Sequence, residues 1–210
     1  MLRLSKIEKS YGVKTVVNSV SLEFQTAKTY ALIGPSGCGK STLLALISGT
    51  PIFNVNWIGE IRLNGIDIGA LPAHRRSVGI MYQDALLFPH LTVGENLAFG
   101  LASSIRSKAR HEAVQNALAA ASLDGFGERD PASLSGGQAS RIALMRALLA
   151  EPKALLMDEA FSSLDPDLRR QFGQFVATQV RLKQIPALLV SHDVADRQFA
   201  IEPVLNFSKG

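Results

Sequence analysis

The segment TYALIGPSGCGKSTLLALIS, residues 29–48, constrains the fold of this chain more strongly than any other stretch. A continuously apolar run leads into a glycine-rich segment and then into an apolar-rich helical pattern. Two later runs, ALLMDE (154–159) and PALLVS (186–191), are also continuously apolar, which is typical of strands covered on both faces of a parallel sheet. A helical pattern covers residues 165–183, with Pro166 suited to a first-turn position. Strands next to helices predict an α/β fold with a mainly parallel sheet.

Other patterns add two regions to this core. Residues 19–24, SVSLEF, alternate apolar and polar side chains, and residues 59–65, GEIRLNG, end in an Asn-Gly turn signal. We therefore expect a half-exposed antiparallel β region beside the parallel sheet. Residues 93–122 are rich in alanine and other helix formers and precede the loop-like stretch DGFGERDP (124–131), which predicts a helical insertion.

The length of the chain suits one domain with an inserted subdomain. With 210 residues, of which 47% are apolar, the chain can bury a sizeable core. We expect residues 1–84 and 136–210 to form that core and about 85–135 to form the helical subdomain.

Charge and cysteine content exclude several classes of protein. The net charge of +4 is scattered, and no Lys/Arg run of the kind found in nucleic-acid tails occurs, so we expect no nucleic-acid partner. A single cysteine, Cys38, cannot form an internal disulfide, which indicates a reducing compartment. No signal-peptide core and no apolar run of membrane length is present. Any membrane association is therefore expected to come through a partner.

The glycine-rich segment GPSGCGKS, Gly34–Ser41, fits the pattern G-x-x-x-x-G-K-[ST] between a predicted strand and a predicted helix. Its glycines allow backbone N–H groups to turn towards phosphate oxygens, Lys40 can reach the β- and γ-phosphates, and Ser41 can ligate Mg²⁺. We interpret Cys38, at a variable position, as incidental to the chemistry. The predicted nucleotide contacts are Gly34, Pro35, Ser36, Gly37, Cys38, Gly39, Lys40, Ser41 and Thr42.

An acidic pair ends the second apolar run. In ALLMDE, Asp158 and Glu159 lie at the end of a predicted buried strand. In a parallel sheet this strand end is expected to lie beside the phosphate loop. We expect Asp158 to hold Mg²⁺, directly or through water, and Glu159 to orient and deprotonate an attacking water. An acidic pair at a strand end is more often a solvated loop start, so this assignment depends on the phosphate loop. Together the two motifs indicate a P-loop nucleoside triphosphatase.

The stretch LSGGQASR, residues 134–141, is a serine and two glycines that open a helical pattern, and it offers a second site for an anion. Here the chain resembles the ATP-binding subunits of ABC transporters over nearly its whole length, because LSGGQ between a phosphate loop and a DE strand is that family's signature. The resemblance implies a head-to-tail homodimer that binds two ATP molecules. Each signature caps the γ-phosphate that the other subunit's phosphate loop holds. The signature residues implied are Ser135, Gly136, Gly137 and Gln138.

The resemblance assigns roles to four further residues. Gln83 in MYQD matches the family's Gln loop, which approaches Mg²⁺ and the attacking water, and His192 in LLVSHD matches the switch histidine at the γ-phosphate. Asp165 in SSLD matches the loop that crosses the dimer interface, although an aspartate before proline is also a good helix N-cap. Tyr11 matches the aromatic residue that stacks on adenine, although a tyrosine before glycine is also common in turns.

Three departures from the family pattern accompany this resemblance. ASR, residues 139–141, replaces the commoner glutamine-rich continuation of the signature but keeps Arg141. Ala160 stands where many relatives have a proline after the catalytic glutamate, which we expect to loosen the turn without removing a ligand. The chain ends soon after His192, so we expect no C-terminal regulatory domain.

Residues 82–101, YQDALLFPHLTVGENLAFGL, resemble the Gln-loop region of bacterial importer ATPases. The apolar side chains of Leu86, Leu87, Phe88 and Leu91 predict an exposed groove for a short helix of a membrane permease, with packing of the helical subdomain onto the core as the alternative. The resemblance implies a peripheral subunit on the cytoplasmic face of the inner membrane. It would power import of a cargo selected by partner chains, with a solute-binding protein as an indirect partner.

Two other classes of protein stay open. A soluble ABC-type ATPase for repair, translation or cofactor assembly is disfavoured, because such proteins usually carry two cassettes or a long coiled-coil insertion. A P-loop phosphotransferase has no use for the signature or the switch histidine.

Overall fold

The computed structural model describes residues 1–11, 14–52, 56–200 and 205–206, with the backbone alone for residues 9–11, 14–18 and 205–206. The strands are β1 (Leu2–Tyr11), β2 (Lys14–Phe24), β3 (Thr29–Ile33), β4 (Asn56–Leu63), β5 (Ile66–Asp67), β6 (Val78–Tyr82), β7 (Ala154–Asp158), β8 (Ala187–Ser191) and β9 (Leu205–Asn206). The α-helices are α1 (Lys40–Ser48), α2 (Val93–Phe99), α3 (Ser107–Ala120), α4 (Gly136–Leu149) and α5 (Pro166–Lys183). Short 3₁₀ helices cover Ala73–Arg75, Pro131–Ser133 and Val194–Phe199. Within this part of the chain, no helix is both long enough and apolar enough to cross a lipid bilayer.

A parallel sheet with the strand order β6-β7-β8-β3-β9 forms the centre of the described structure. The three continuously apolar runs are β3, β7 and β8, and every residue of β3 and β8 is buried, so this prediction is confirmed. β3 and β8 pair in register from Thr29↔Ala187 to Ile33↔Ser191. Because the strands are parallel, the loops that follow β3, β6, β7 and β8 emerge at one edge of the sheet.

A second, antiparallel sheet has the order β2-β1-β4-β5. β4 and β5 are joined at Asn64 (φ 51°) and Gly65 (φ 83°), as the Asn-Gly signal predicts for a two-residue hairpin turn. The buried face of this sheet packs against α1 in one hydrophobic cluster, which contains Leu2, Leu4, Phe24, Ile61, Leu43 and Ile47. The expected antiparallel region is therefore confirmed, and it covers the helix that follows the glycine-rich loop.

The expected helical insertion over residues 93–122 consists of α2 and α3, which pack against α4. Thr92 and Glu95 form a capping box at the start of α2, since each side chain bonds to the other residue's backbone N–H. The hydrophobic cluster between these helices continues into β7 and α5 and includes Leu97, Leu118, Ile142, Leu155 and Phe172. The limits of the subdomain at about 85 and 135 stay a prediction.

Candidate functional site

The loops at the edge of the parallel sheet bring together residues that are distant in sequence. Gly34 follows β3, Gln83 follows β6, Glu159 follows β7 and His192 follows β8. A cleft of about 360 Å³ at this edge is lined by Ser41, Tyr82, Gln83, Asp84, Leu86, Asp158 and Glu159. Four of the predicted catalytic and metal-binding residues therefore line one cavity: Ser41, Gln83, Asp158 and Glu159.

The glycine-rich loop owes its shape to two left-handed residues, Gly37 (φ 77°) and Gly39 (φ 101°). A Cβ atom on Gly37 would meet nothing within 4 Å among the described atoms, so the backbone conformation, and not space, requires glycine there. Gly39 is the N-cap of α1 and supplies no side-chain cap, which leaves the first N–H groups of the helix available to an anion. Pro35 and Ser36 are exposed in this loop, and Thr42 lies in the first turn of α1.

Lys40 is only 4% exposed, and its ammonium lies inside the loop. The Nζ atom donates to the carbonyl oxygens of Gly34 (2.7 Å) and Pro35 (2.9 Å) and lies 3.7 Å from the Sγ atom of the buried Cys38. No carboxylate forms an ion pair with Lys40 among the residues that the structure describes. A buried cation held only by uncharged groups suits a phosphate, which would supply the missing counter-charge.

Ser41 and Asp158 form the oxygen-rich side of the cleft. The Ser41 hydroxyl donates to Asp158 Oδ1 at 3.1 Å. Burial raises the pKa of Asp158, the Ser41 hydrogen bond lowers it, and the neighbouring Glu159 raises it further. No cluster of three or more His, Cys, Asp or Glu side chains in the described ranges is arranged to hold a metal. One hydroxyl and one carboxylate fit Mg²⁺, which binds few protein oxygens and takes others from water and substrate phosphates.

Glu159 and His192 face each other across the ends of β7 and β8. The Glu159 Oε1 atom lies 3.1 Å from His192 Nδ1. Glu159 has a left-handed backbone (φ 52°), its N–H donates to the Val190 carbonyl (2.9 Å), and its carbonyl accepts the Ser162 hydroxyl (2.8 Å). These hydrogen bonds and the buried Ala160 hold the turn after β7.

The signature residues lie at the start of α4 and not in this cleft. Ser135 is the N-cap: its hydroxyl accepts from Gln138 N (3.4 Å), and the Gln138 side chain accepts from Ser135 N (2.9 Å). Ser135 and Gly136 are exposed. Gly137 is buried, and a Cβ atom there would lie 3.2 Å from Leu168 of α5. The signature therefore presents an exposed helix N-terminus on another part of the surface.

Asp165 is exposed and caps α5, accepting from the N–H groups of Asp167 (3.0 Å) and Leu168 (2.9 Å), with Pro166 in the first turn as predicted. The N-cap role is therefore present, and the dimer-interface role stays a prediction. The side chain of Tyr11, predicted to stack on adenine, lies outside the described residues.

The predicted exposed patch at Leu86, Leu87, Phe88 and Leu91 is wrong for three of these four residues. Only Leu86 is exposed (57%), because the other three are partly buried and Leu87 packs into the helical core. Two side chains that the prediction missed, Tyr82 (38% exposed) and Phe99 (65% exposed), lie with Leu86 along an adjoining groove of about 290 Å³. The aromatic residues in the quoted stretch YQDALLFPHLTVGENLAFGL were the signal that could have identified them.

Two polar residues that sequence reasoning missed join the groove to the signature helix. Arg146 of α4 donates to the Ala85 carbonyl (3.2 Å) and to Asn96 Oδ1 (3.3 Å). The fully buried Asn96 also accepts from Phe88 N (2.8 Å). Burial lowers the pKa of Arg146. Nothing in the local sequence pattern distinguishes these residues from solvated ones.

Comparison with known proteins places the chain in a family. The family model for ABC transporters matches residues 17–162. An uncharacterised ABC transporter ATP-binding protein of Escherichia coli K12, YnjD, is 43% identical over 93% of this chain and 90% of its own length. The Fe(3+) ions import ATP-binding protein FbpC 3 of Rhodococcus jostii RHA1 is 44% identical over 91% of the chain. The spermidine/putrescine import ATP-binding protein PotA of Haemophilus influenzae Rd is 36% identical over the whole chain.

The chain spans 55% of the length of the iron relative and 56% of that of the spermidine/putrescine relative. The family match covers more than half of the chain and includes the glycine-rich loop, the signature and the acidic pair. The resemblance carried by these motifs is thereby confirmed, as is the α/β fold of a P-loop triphosphatase. This chain belongs to the ABC transporter family, as one of its ATP-binding, ATP-hydrolysing proteins.

Proposed function

We propose that this chain is the motor subunit of an ABC importer, in which two copies bind two ATP molecules head to tail and drive a membrane permease. One observation carries the proposal: a phosphate-binding loop, a hydroxyl–carboxylate pair and a glutamate–histidine pair meet at one edge of the sheet. Two relatives, an ATP-binding protein for the import of Fe(3+) ions and one for the import of spermidine/putrescine, support the direction of transport.

In the proposed reaction the loop and the N-terminus of α1 hold the triphosphate, and the Lys40 ammonium faces its β- and γ-phosphates. Ser41, Asp158 and Gln83 would hold Mg²⁺, which supplies positive charge to the phosphate oxygens when it is bound. Glu159 accepts a proton from the attacking water. His192, 3.1 Å from that carboxylate, orients it and reaches the γ-phosphate.

The exposed signature supports the shared site. Ser135 and Gly136 lie at an exposed helix N-terminus outside their own chain's cleft, so a phosphate that they bind would belong to another copy. A two-fold dimer then completes both sites at once, because each takes one half from each chain. Asp165, exposed at the start of α5, would contribute to the same interface.

The groove with Tyr82, Leu86 and Phe99 supports a permease contact. These three exposed apolar side chains suit the apolar face of a short helix. Tyr82 and Leu86 also line the cleft, so a helix docked in the groove would touch residues that border the ATP site. We infer a peripheral position on the cytoplasmic face of the inner membrane, with the cargo selected by the permease and a solute-binding protein.

The replacement of Glu159 by glutamine tests the proposed chemistry. Glu159→Gln keeps the shape of the side chain but removes the base, so we expect ATP binding to survive while kcat falls by about 10²–10⁴-fold. Glu151→Gln is a matched control, because Glu151 is also left-handed (φ 51°) but is exposed and lies after the end of α4, away from the cleft lining. Hydrolysis by Glu159→Gln at the wild-type rate would contradict the assignment.

The shared site is tested by sedimentation. ATP with Mg²⁺ is expected to convert Glu159→Gln from monomer to dimer, since ATP is bound but not consumed. Adding Ser135→Arg places a bulky cation at the signature and is expected to abolish the dimer while each chain still binds ATP. Ser104→Arg, at another exposed serine, serves as the control and is expected to leave dimerisation intact. A Ser135→Arg chain that still dimerises on ATP would show that the signature does not clamp a neighbour's nucleotide.

A further inference from the structure

A cluster of charged side chains joins α5 to the loop that carries His192. Arg169, near the start of α5, donates from Nη1 to the Asp193 carboxylate. The same nitrogen lies 3.6 Å from Asp196 Oδ1. Asp196 belongs to the 3₁₀ helix Val194–Phe199, so one guanidinium contacts both the loop residue after His192 and the short helix that follows it.

This cluster is largely buried, and Arg169 is an ion-pair partner of its most buried carboxylate, Asp196. Asp196 is 1% exposed, and its Oδ2 accepts the Ser191 hydroxyl at 2.6 Å. Among the described residues, neither Asp196 Oδ1 nor Arg169 Nε has a hydrogen-bond partner. The guanidinium is therefore the nearby charge that compensates a buried carboxylate. The next residue, Arg170, differs from Arg169, because both side chains of its ion pair with Asp167 (2.7 Å) are exposed to solvent.

Both neighbours of His192 are held by this cluster. Ser191 bonds to Asp196, and its oxygen also accepts from Asp193 N at 3.0 Å. Asp193 in turn pairs with Arg169. The imidazole of His192 is about half exposed and lies 3.1 Å from Glu159. The cluster therefore fixes the two residues that flank His192, while the imidazole itself contacts Glu159.

We propose that Arg169 is a positioning residue for ATP hydrolysis, which holds the loop after β8 so that His192 stays within reach of Glu159. The inference rests on the proposed function of that pair. Arg169 touches neither reacting atom. The backbone N–H of Arg169 donates to the Asp165 carbonyl at 2.8 Å. The start of α5, with its N-cap, therefore contains both Arg169 and Asp165, the residue predicted to reach the dimer interface.

A double-mutant cycle tests this role through kcat and KM for ATP, measured with radiolabelled ATP so that slow variants are quantified. Arg169→Ala is expected to lower kcat by up to about 100-fold, because a shift of about 1 Å in a catalytic group has effects of that size. KM is expected to change by less than about twofold, since the phosphate loop is intact. In a His192→Ala background, Arg169→Ala is expected to lower kcat by less than about a further twofold, because no imidazole is left to position.

Arg170→Ala is the matched control and is expected to keep wild-type kcat. Arg169→Gln, which keeps most of the side-chain length, provides a second variant if alanine at this position prevents folding, and its kcat is expected to fall in the same way. A full additional loss in the His192→Ala background, or wild-type kcat in either Arg169 variant, would overturn the inference alone. A wild-type chain without hydrolysis, or an unimpaired His192→Ala, would overturn the proposed function itself.

Discussion

Replacing Gly100 by alanine is expected to destabilise the protein, although a change from glycine to alanine is usually stabilising in this backbone conformation. Gly100 follows α2 with φ −70° and ψ −19°, where a change from glycine to alanine normally stabilises by about 0.4–1 kcal/mol. An added Cβ atom, however, would lie 2.2 Å from the backbone oxygen of Arg146 and 3.2 Å from Leu149 Cβ. The end of α2 thus lies directly on the backbone of α4.

The clash sets the size of the effect. A contact of 2.2 Å must open by about 1.2 Å or more to become ordinary, and over-packing of this kind costs about 1–3 kcal/mol. Alanine also restricts the unfolded chain, which offsets part of this cost. We therefore expect the free energy of unfolding to fall by about 1–2 kcal/mol in total. For a chain of this size, that loss lowers Tm by about 2–8 °C.

Urea and thermal unfolding followed by circular dichroism measure this change. Gly127→Ala is the matched control within the same group of helices, because its Cβ atom would meet only Leu118 Cδ1, at an ordinary 3.6 Å. We expect the control to stay within about 0.5 kcal/mol of wild type. A Gly100→Ala protein as stable as wild type or more so would refute the reasoning, since α2 and α4 would then separate without cost.

Three further predictions concern the phosphate loop, a helix cap and pH. Lys40→Ala is expected to weaken binding of a fluorescent ATP analogue by about tenfold or more, and unchanged affinity would contradict the assignment. Thr92→Ala removes the cap of α2 and is expected to cost about 0.5–2 kcal/mol in urea unfolding; an unchanged midpoint would count against the capping box. The Ala195 N–H and then Arg169 hold the pKa of Asp193 below its usual range, so its stabilising contribution is present above its unfolded pKa and is lost as pH falls through the folded value. Asp193→Asn is therefore expected to lose less stability than wild type between pH 6 and pH 3, and equal losses would disprove the linkage.

The sequence predicts which of the candidate residues lie close together wherever their place on the backbone determines it. Gly34–Ser41, Asp158 and His192 each follow or end a continuously apolar run, and such runs become neighbouring parallel strands. Their convergence then follows from the direction of the strands and needs no knowledge of side-chain packing. The strand–loop–helix pattern was sufficient to predict that these residues lie near one another, and their chemical roles stay a prediction.

Features that depend on tertiary packing were not predictable in the same way. The burial of Leu87 depends on contacts with the helical core, and the exposure of Phe99 depends on how α2 meets α4. Arg169 and Asp196 are 27 residues apart and follow no helical or strand period. Only the fold shows that one is the counter-charge of the other.

Glu159 is the proposed base for ATP hydrolysis, but its left-handed backbone conformation is unfavourable for a residue with a side chain. Stability and turnover therefore favour different residues at this position. A non-glycine residue with φ 52° costs about 1–3 kcal/mol, whereas glycine adopts this conformation freely. We therefore expect Glu159→Gly to unfold at a higher temperature than wild type while its kcat falls by about 10²–10⁴-fold, as for other losses of the base. A library screened for heat resistance alone would enrich that impaired variant, so thermostable forms of this protein should be selected under a simultaneous requirement for ATP hydrolysis.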